Sequence, residues 1–413
     1  MTTSDTAPDS PQSYRSFLIS FVATSVVLLT GMAGLNVALD PYTTWGSTLF
    51  PGVYVVATTR VGKGEVLHRY NGDTVLVGNS RVMLGIRDRH AEGGQESACN
   101  LGVSGASYAE LQEILNCSLE KPSIRKILLF VDYHSFRDEH EFRESFAMSR
   151  FNPQKNEFDH HCDLLLNYHA SEDSLQKLGE IVKGRPPQYT TTACPIPEVM
   201  GAKQPLPDRS ERILRVIAGS NQSGFHYSPA TVEQLRPLMV RCLERKIDLT
   251  FVINPLHATV LESIWRSGLQ HDYEAWMRHL TQVVEEESAG KLALWDFSGF
   301  HRYTTERLIG PDGAPASELA WFWEPSHFTV ALGDKMLARI RGEEGADPEF
   351  GVKLTMDRID ERLAEVARGH ELWAGSHRAD VELVRQITES GSADWTAAGA
   401  VQVAESPSET VIR

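Results

Sequence analysis

Five short apolar runs set the strongest limit on how this 413-residue chain can fold. They occupy residues 74–78, 97–101, 124–131, 249–253 and 292–295, the second being the weakest. Each is too short for an ordinary helix, and most carry apolar residues at consecutive rather than alternate positions. A strand with one wet face alternates, whereas a strand covered on both faces does not. Segments with helical apolar spacing lie between and after them, at 108–119, 232–244 and 271–287, and in a stretch leading from His327 through Leu337. This alternation predicts an α/β domain of three layers, α/β/α, around a parallel, flavodoxin-like sheet. Residues 137–228 separate the third and fourth runs, far more chain than a crossover needs. Within them 163–182 reads as helical and 184–209 as a Pro-rich loop, so the stretch is predicted to be an insertion capping the strand ends. Past Arg341 the composition turns acidic and small. Residues 342–413 are predicted to be an extension with one helix at 354–368 and disorder from Ser390 onward.

Residues 17–35 carry no charge, and their polar residues are only Ser and Thr. That run is close to the roughly 20 residues a helix needs to cross a bilayer. It is longer than the apolar part of a cleaved signal peptide and ends in Asn36-Val37-Ala38-Leu39-Asp40-Pro41 without a small-x-small site. We therefore expect an uncleaved anchor over 17–39 and a cytoplasmic tail of 1–16. Arg15 precedes the run and the next basic residue is Arg60, so the positive-inside rule places 40–341 outside the cytoplasm. The expected location is the inner (cytoplasmic) membrane, crossed once. The net charge of -15 argues against nucleic acid as a partner, because the chain would repel a phosphate backbone, and it serves solubility. Five cysteines occur with no C-x-x-C pair, and free thiols are expected.

In open α/β sheets, sites form beyond the carboxyl ends of the strands. The runs deliver a specific set of residues there. The first ends in Gly78-Asn79-Ser80-Arg81, and the second leads through Asn100 and Gly102 to Gly105. The third ends in Asp132-Tyr133-His134, the fourth in Asn254-Pro255, and the fifth in Asp296. Glu324-Pro325-Ser326-His327 follows near the end of the domain. A serine nucleophile needs a base, and the base needs an orienting carboxylate. Ser80, His327 and Glu324 are the residues of that kind, with Asp296 as an alternative carboxylate. The backbone N–H groups of Ser80 and Gly105 can receive a developing oxyanion. Arg81, Asn100, Asp132 and Asn254 are expected to line the site. His134, His140, His160, His161 and His169 share one region, but their spacing matches no ligand motif, so no metal site is expected.

Gly78-Asn79-Ser80-Arg81 resembles the first sequence block of the SGNH/GDSL hydrolases, in the form found in bacterial membrane-anchored members. Asn100-Leu101-Gly102-Val103-Ser104-Gly105 resembles the second block, whose glycine supplies an oxyanion N–H, and Glu324-Pro325-Ser326-His327 resembles the last. Leu39-Asp40-Pro41-Tyr42, Asn254-Pro255-Leu256-His257 and Trp295-Asp296-Phe297-Ser298 resemble stretches of the same subgroup. The resemblance spans roughly residues 36–341, about one domain. It implies an SGNH-like fold and serine-dependent ester hydrolysis or O-acyl transfer, with no cofactor. By analogy it implies an acylated envelope or exported polysaccharide as substrate and envelope biosynthesis proteins as partners. Two departures stand out. The third strand ends in Asp132 where the family has an asparagine, and Glu324 replaces an aspartate. The first motivates an alternative, a catalytically silent binding or assembly protein on the same fold.

Overall fold

The computed structural model describes residues 11–47, 49–50, 52–54, 58–87, 98–137, 142–190, 192–196, 204–390 and 411–412. The strands are β1 (Thr74–Gly78), β2 (Ala98–Gly102), β3 (Lys126–Val131), β4 (Phe142–Arg143), β5 (Asp248–Ile253), β6 (Ala293–Asp296), β7 (Phe322–Glu324), β8 (His327–Phe328), β9 (Val352–Lys353) and β10 (Val411–Ile412). The central sheet has the order β2-β1-β3-β5-β6-β9. Its first five strands are parallel, and β9 runs antiparallel along β6. The chain thus forms a mixed α/β fold on a mostly parallel sheet. The strand order reverses between β1 and β3, which opens a crevice at their carboxyl ends.

Successive side chains of a strand face opposite sides, and here both sides are apolar. Val75, Val77, Ile127, Leu129, Leu249 and Phe251 form one core with helices Tyr108–Glu120, Leu235–Glu244 and Gln270–Ser288. Leu76, Leu128, Phe130 and Val252 form a second core with helix Val330–Arg341 and with Phe322 and Phe328 of the β7–β8 hairpin. Burial on both faces is why the parallel strands read as unbroken apolar runs. The observed strands fall within one or two residues of the expected ones, and the weakest, β2, is shifted by one.

Two regions are organised differently from the expected layout. Residues 342–390, expected as part of an acidic extension with a helix at 354–368, pack on the domain. β9 lengthens the sheet, and helices Ile359–Ser376 and Arg378–Glu389 bury Leu363, Trp373, Val384 and Ile387 against the domain. Their apolar stripe was diluted by the acidic surface residues around it. Residues 391–410, expected to be disordered, lie outside the described residues. The insertion, in turn, is not one cap. Helices Glu157–Leu166 and Tyr168–Val182 pack against the end of the long N-terminal helix Pro11–Leu39. Helix Leu206–Gln222 packs instead on helices Ala258–Arg266 and Arg378–Glu389 and reaches β7. The N-terminal helix is long and apolar enough to cross a membrane over Tyr14–Leu39, and no residue of its most apolar window is buried.

Helix Val330–Arg341 lies on the short helix Ser80–Gly85 so closely that a Cβ at Gly333 would collide with the Gly85 carbonyl oxygen. Gly333→Ala should therefore cost about 1–3 kcal/mol by overpacking. The check is the urea midpoint at constant m-value, and an unchanged midpoint would show that the helix pair can separate freely.

Candidate active site

β1 ends at Gly78, and Asn79 caps the following helix, its Oδ1 accepting from Arg81 N–H at 3.0 Å. Ser80 is the first residue of that helix, a position where the backbone N–H has no intrahelical acceptor. Ser80 is half-buried, at the carboxyl edge of the sheet. Asn100, expected to line the site, does not. It is fully buried within β2, and its amide donates to the Val82 and Ile86 carbonyls at 2.9 and 2.7 Å. It therefore fixes the helix that carries Ser80.

Glu324 and His327 face each other across the two-residue turn of the β7–β8 hairpin. Directly paired residues of antiparallel strands present their side chains on one face, which explains the spacing of three. The Glu324 carboxylate hydrogen-bonds His327 Nδ1 through Oε1, and its Oε2 accepts from Ser326 N–H at 2.8 Å. A carboxylate only accepts, so the imidazole proton sits on Nδ1. That leaves Nε2 to accept from Ser80 Oγ–H at 2.8 Å. Ser80, His327 and Glu324 thus form one continuous relay, with the carboxylate and imidazole buried and the hydroxyl partly open.

Arg81 ties this hairpin to the sheet. Its Nε and Nη2 donate to the Ser326 carbonyl and hydroxyl at 2.9 and 3.0 Å, and its Nη1 pairs with Asp132 Oδ2 at 3.0 Å. The same carboxylate oxygen accepts from Asn79 Nδ2 at 2.6 Å and from Asn254 Nδ2 at 3.1 Å. Asp132 and Asn254 are therefore buried supports rather than a cleft lining, and the charge of Asp132 is met by Arg81. Asp296 is not an alternative holder of His327. Its Oδ1 accepts from the Ser298 N–H and hydroxyl at 2.8 and 2.6 Å, and its Oδ2 pairs with Arg362 Nε at 2.8 Å.

Gly105 follows β2 with φ of +57°, a conformation natural to glycine. Val103 N–H donates to the Gly78 carbonyl at 3.1 Å, so the chain leading to Gly105 leaves the sheet beside the chain leading to Ser80. Arg60 fixes this turn by donating to the Ser104 carbonyl at 2.6 Å and pairing with buried Glu110. Glu110 also accepts from Arg143 N–H at 3.1 Å, and the Arg143 guanidinium lies against Gly105. Arg143 was missed at the sequence level, because a single arginine in a long insertion carries no pattern. Of the histidines grouped in that region, His134 Nε2 bonds Asn221 Oδ1 at 2.7 Å and His160 bonds Glu65 at 2.7 Å, while His140 lies outside the described residues. Among the described residues no disulfide joins the cysteines.

No family model matches the chain, and no curated protein matches it.

His257 lies beneath the hairpin, its N–H donating to the Pro325 carbonyl at 3.4 Å. Its ring bonds Thr259 Oγ1 and the Glu306 carbonyl, both at 2.8 Å. Burial pushes its pKa down to about 4. The unfolded chain titrates near 6.5, so between these values it takes up a proton that the folded chain refuses. This contribution to stability is full above pH 6.5 and is lost as pH falls toward 4. Asp380, pushed up to about 6 by burial, acts with the opposite sign over part of that range. The readout is thus the difference between His257→Gln and wild type. The urea midpoint of the variant should fall less steeply between pH 7 and pH 5, and equal slopes would mean that His257 is protonated in the fold.

Proposed function

We propose that this chain is a serine-dependent acyl-ester hydrolase or O-acyl transferase of the SGNH/GDSL kind, held to a membrane by its N-terminal helix with the site outside the cytoplasm. The observation that carries the reading is the hydrogen-bonded series from Ser80 through His327 to Glu324 at the carboxyl edge of the sheet. The two strands at the order reversal, the Gly105 turn and the first-block residues add support. The outward placement rests on Arg15 and on the lack of another basic residue before Arg60.

In this reading Ser80 Oγ attacks the ester carbonyl carbon while its proton passes to His327 Nε2. Glu324 stabilises the imidazolium and keeps Nδ1 protonated. The carbonyl oxygen gains the negative charge and is received by the Ser80 and Gly105 N–H groups. The C–O bond to the leaving alcohol then breaks, and the alcohol oxygen takes the proton from Nε2. Water completes hydrolysis by the reverse sequence, and a second sugar hydroxyl completes transfer. An envelope or exported polysaccharide is the acyl carrier we favour, by analogy with the subgroup the motifs resemble. Because Asp132 stands where that family has a donor asparagine, activity on simple esters should be low. The same substitution favours the competing reading of a silent assembly protein.

The two readings part on Ser80→Ala. We expect loss of acyl transfer or hydrolysis with thermal stability nearly unchanged, since a partly open hydroxyl adds little to folding. His327→Ala should lose as much, because the residues act as one unit. Mass spectrometry of the wild type with its acyl donor should find the acyl group on Ser80. An unmodified Ser80 together with full activity of Ser80→Ala would remove the chemistry. Separately, a reporter enzyme active only in the cytoplasm, fused after Arg413, should be silent, and full reporter activity would reverse the topology.

A further inference from the structure

The helix pair at the exit of the anchor carries its apolar residues on the wrong side for a water-facing module. Helix Glu157–Leu166 buries His160 and Leu164 toward the protein. Its opposite face holds Phe158, Cys162, Leu165 and Leu166, with exposed Asp159 beside them, and Tyr168 follows at the start of the next helix. Phe158 is 74% exposed and Tyr168 71%, so nothing among the described residues covers them. Large aromatics left open on a surface helix cost free energy in water.

The position of this face along the anchor says what covers it. Asn36 of the N-terminal helix donates to the Leu165 carbonyl at 3.0 Å and to Ser171 Oγ at 3.1 Å, and accepts from Ser174 Oγ at 2.8 Å. One turn further on, Lys177 donates to the Asp40 carbonyl at 3.2 Å. Contacts therefore advance together along both helices, which run side by side in the same direction. The Asn36 bond to Leu165 sets the Leu166–Tyr168 junction at the level of Asn36. About 20 residues of helix counted from Phe17, where the uncharged run begins, end at Asn36, where the hydrocarbon gives way to headgroups. The Leu166–Tyr168 junction thus sits at the boundary level, where Tyr and other amphipathic rings concentrate.

We propose that the face formed by Leu166 and Tyr168 lies in the headgroup region of the bilayer that the anchor enters. The proposal rests on the anchoring reading above. The occupant is lipid, because the face continues directly from the membrane-crossing helix and shares its level. A second contact of this kind fixes the tilt of the domain over the membrane, which one helix alone does not do. It sets the height at which the Ser80 edge of the sheet meets a surface-bound substrate.

The test is spin-label accessibility in the full-length chain reconstituted into phosphatidylcholine vesicles. Cys117→Ser and Cys162→Ser remove the two half-buried thiols, and the remaining three cysteines are buried. Labels go on Leu166→Cys, Tyr168→Cys, Leu28→Cys and Leu372→Cys, all at exposed side chains. Oxygen collects in lipid and a nickel chelate in water. Position 28 reports the anchor, and 372 reports open water on a distant helix. We expect the oxygen-to-nickel ratio at 166 and 168 to stand several-fold above that at 372. If 28 reads as lipid while 166 and 168 match 372, the anchor stands and the docking proposal fails, leaving a protein partner to cover the face. If 28 itself matches 372, the anchoring reading fails and takes the proposal with it.

Discussion

One buried cation organises the site. The Arg81 guanidinium is shut away from water, and a buried charge is tolerated only when its partners are close and well aimed. It meets Asp132 at the end of β3 and the Ser326 backbone and hydroxyl in the β7–β8 turn. Three separate pieces of chain are thereby held in one register: the helix bearing Ser80, the neighbouring strand and the hairpin bearing Glu324 and His327. The arginine in Gly78-Asn79-Ser80-Arg81 and the aspartate at the third strand are two ends of one interaction. An asparagine at 132 would leave the guanidinium without a counter-charge. The departure noted in the sequence thus has a structural cause in this chain.

The turn on the other side of Ser80 is held by a second buried pair, Arg60 with Glu110. Arg60 comes from helix Thr58–Arg69 and Glu110 from helix Tyr108–Glu120. Glu110 also receives Arg143 N–H from the insertion. That first helix, the Gly105 turn and the insertion therefore meet at one carboxylate.

The parallel strands were legible because burial on both faces leaves uninterrupted apolar runs. The edge strand β9 was not, since two residues make no pattern and its partner β6 supplies the register. Ser80, His327 and Glu324 were legible from residue type, order and spacing, although the hairpin that pairs the last two was read as a loop. Asn100 and Asp296 were misread for a common reason. Position near a strand end does not tell which way a side chain turns. Asn100 turns inward to hold a helix, and Asp296 turns to an arginine in a segment whose composition looked like tail. The division of the insertion was hidden because half of it packs on the anchor, an element outside the domain's own periodicity.

The pairing of Asp296 with Arg362 joins residues 66 positions apart, and the arginine is the later of the two. The strands β1 to β6 are all made before the residue that neutralises the end of β6. A growing chain already contains Ser80, Glu324 and His327 before Arg362 emerges. Until then the fully buried position of Asp296 has no counter-ion, and the sheet cannot close around it at low cost. The order of synthesis therefore places closure of the sheet around Asp296 after Arg362 has been made. A chain cut short before residue 362 would carry every residue of the relay and still leave a bare carboxylate inside.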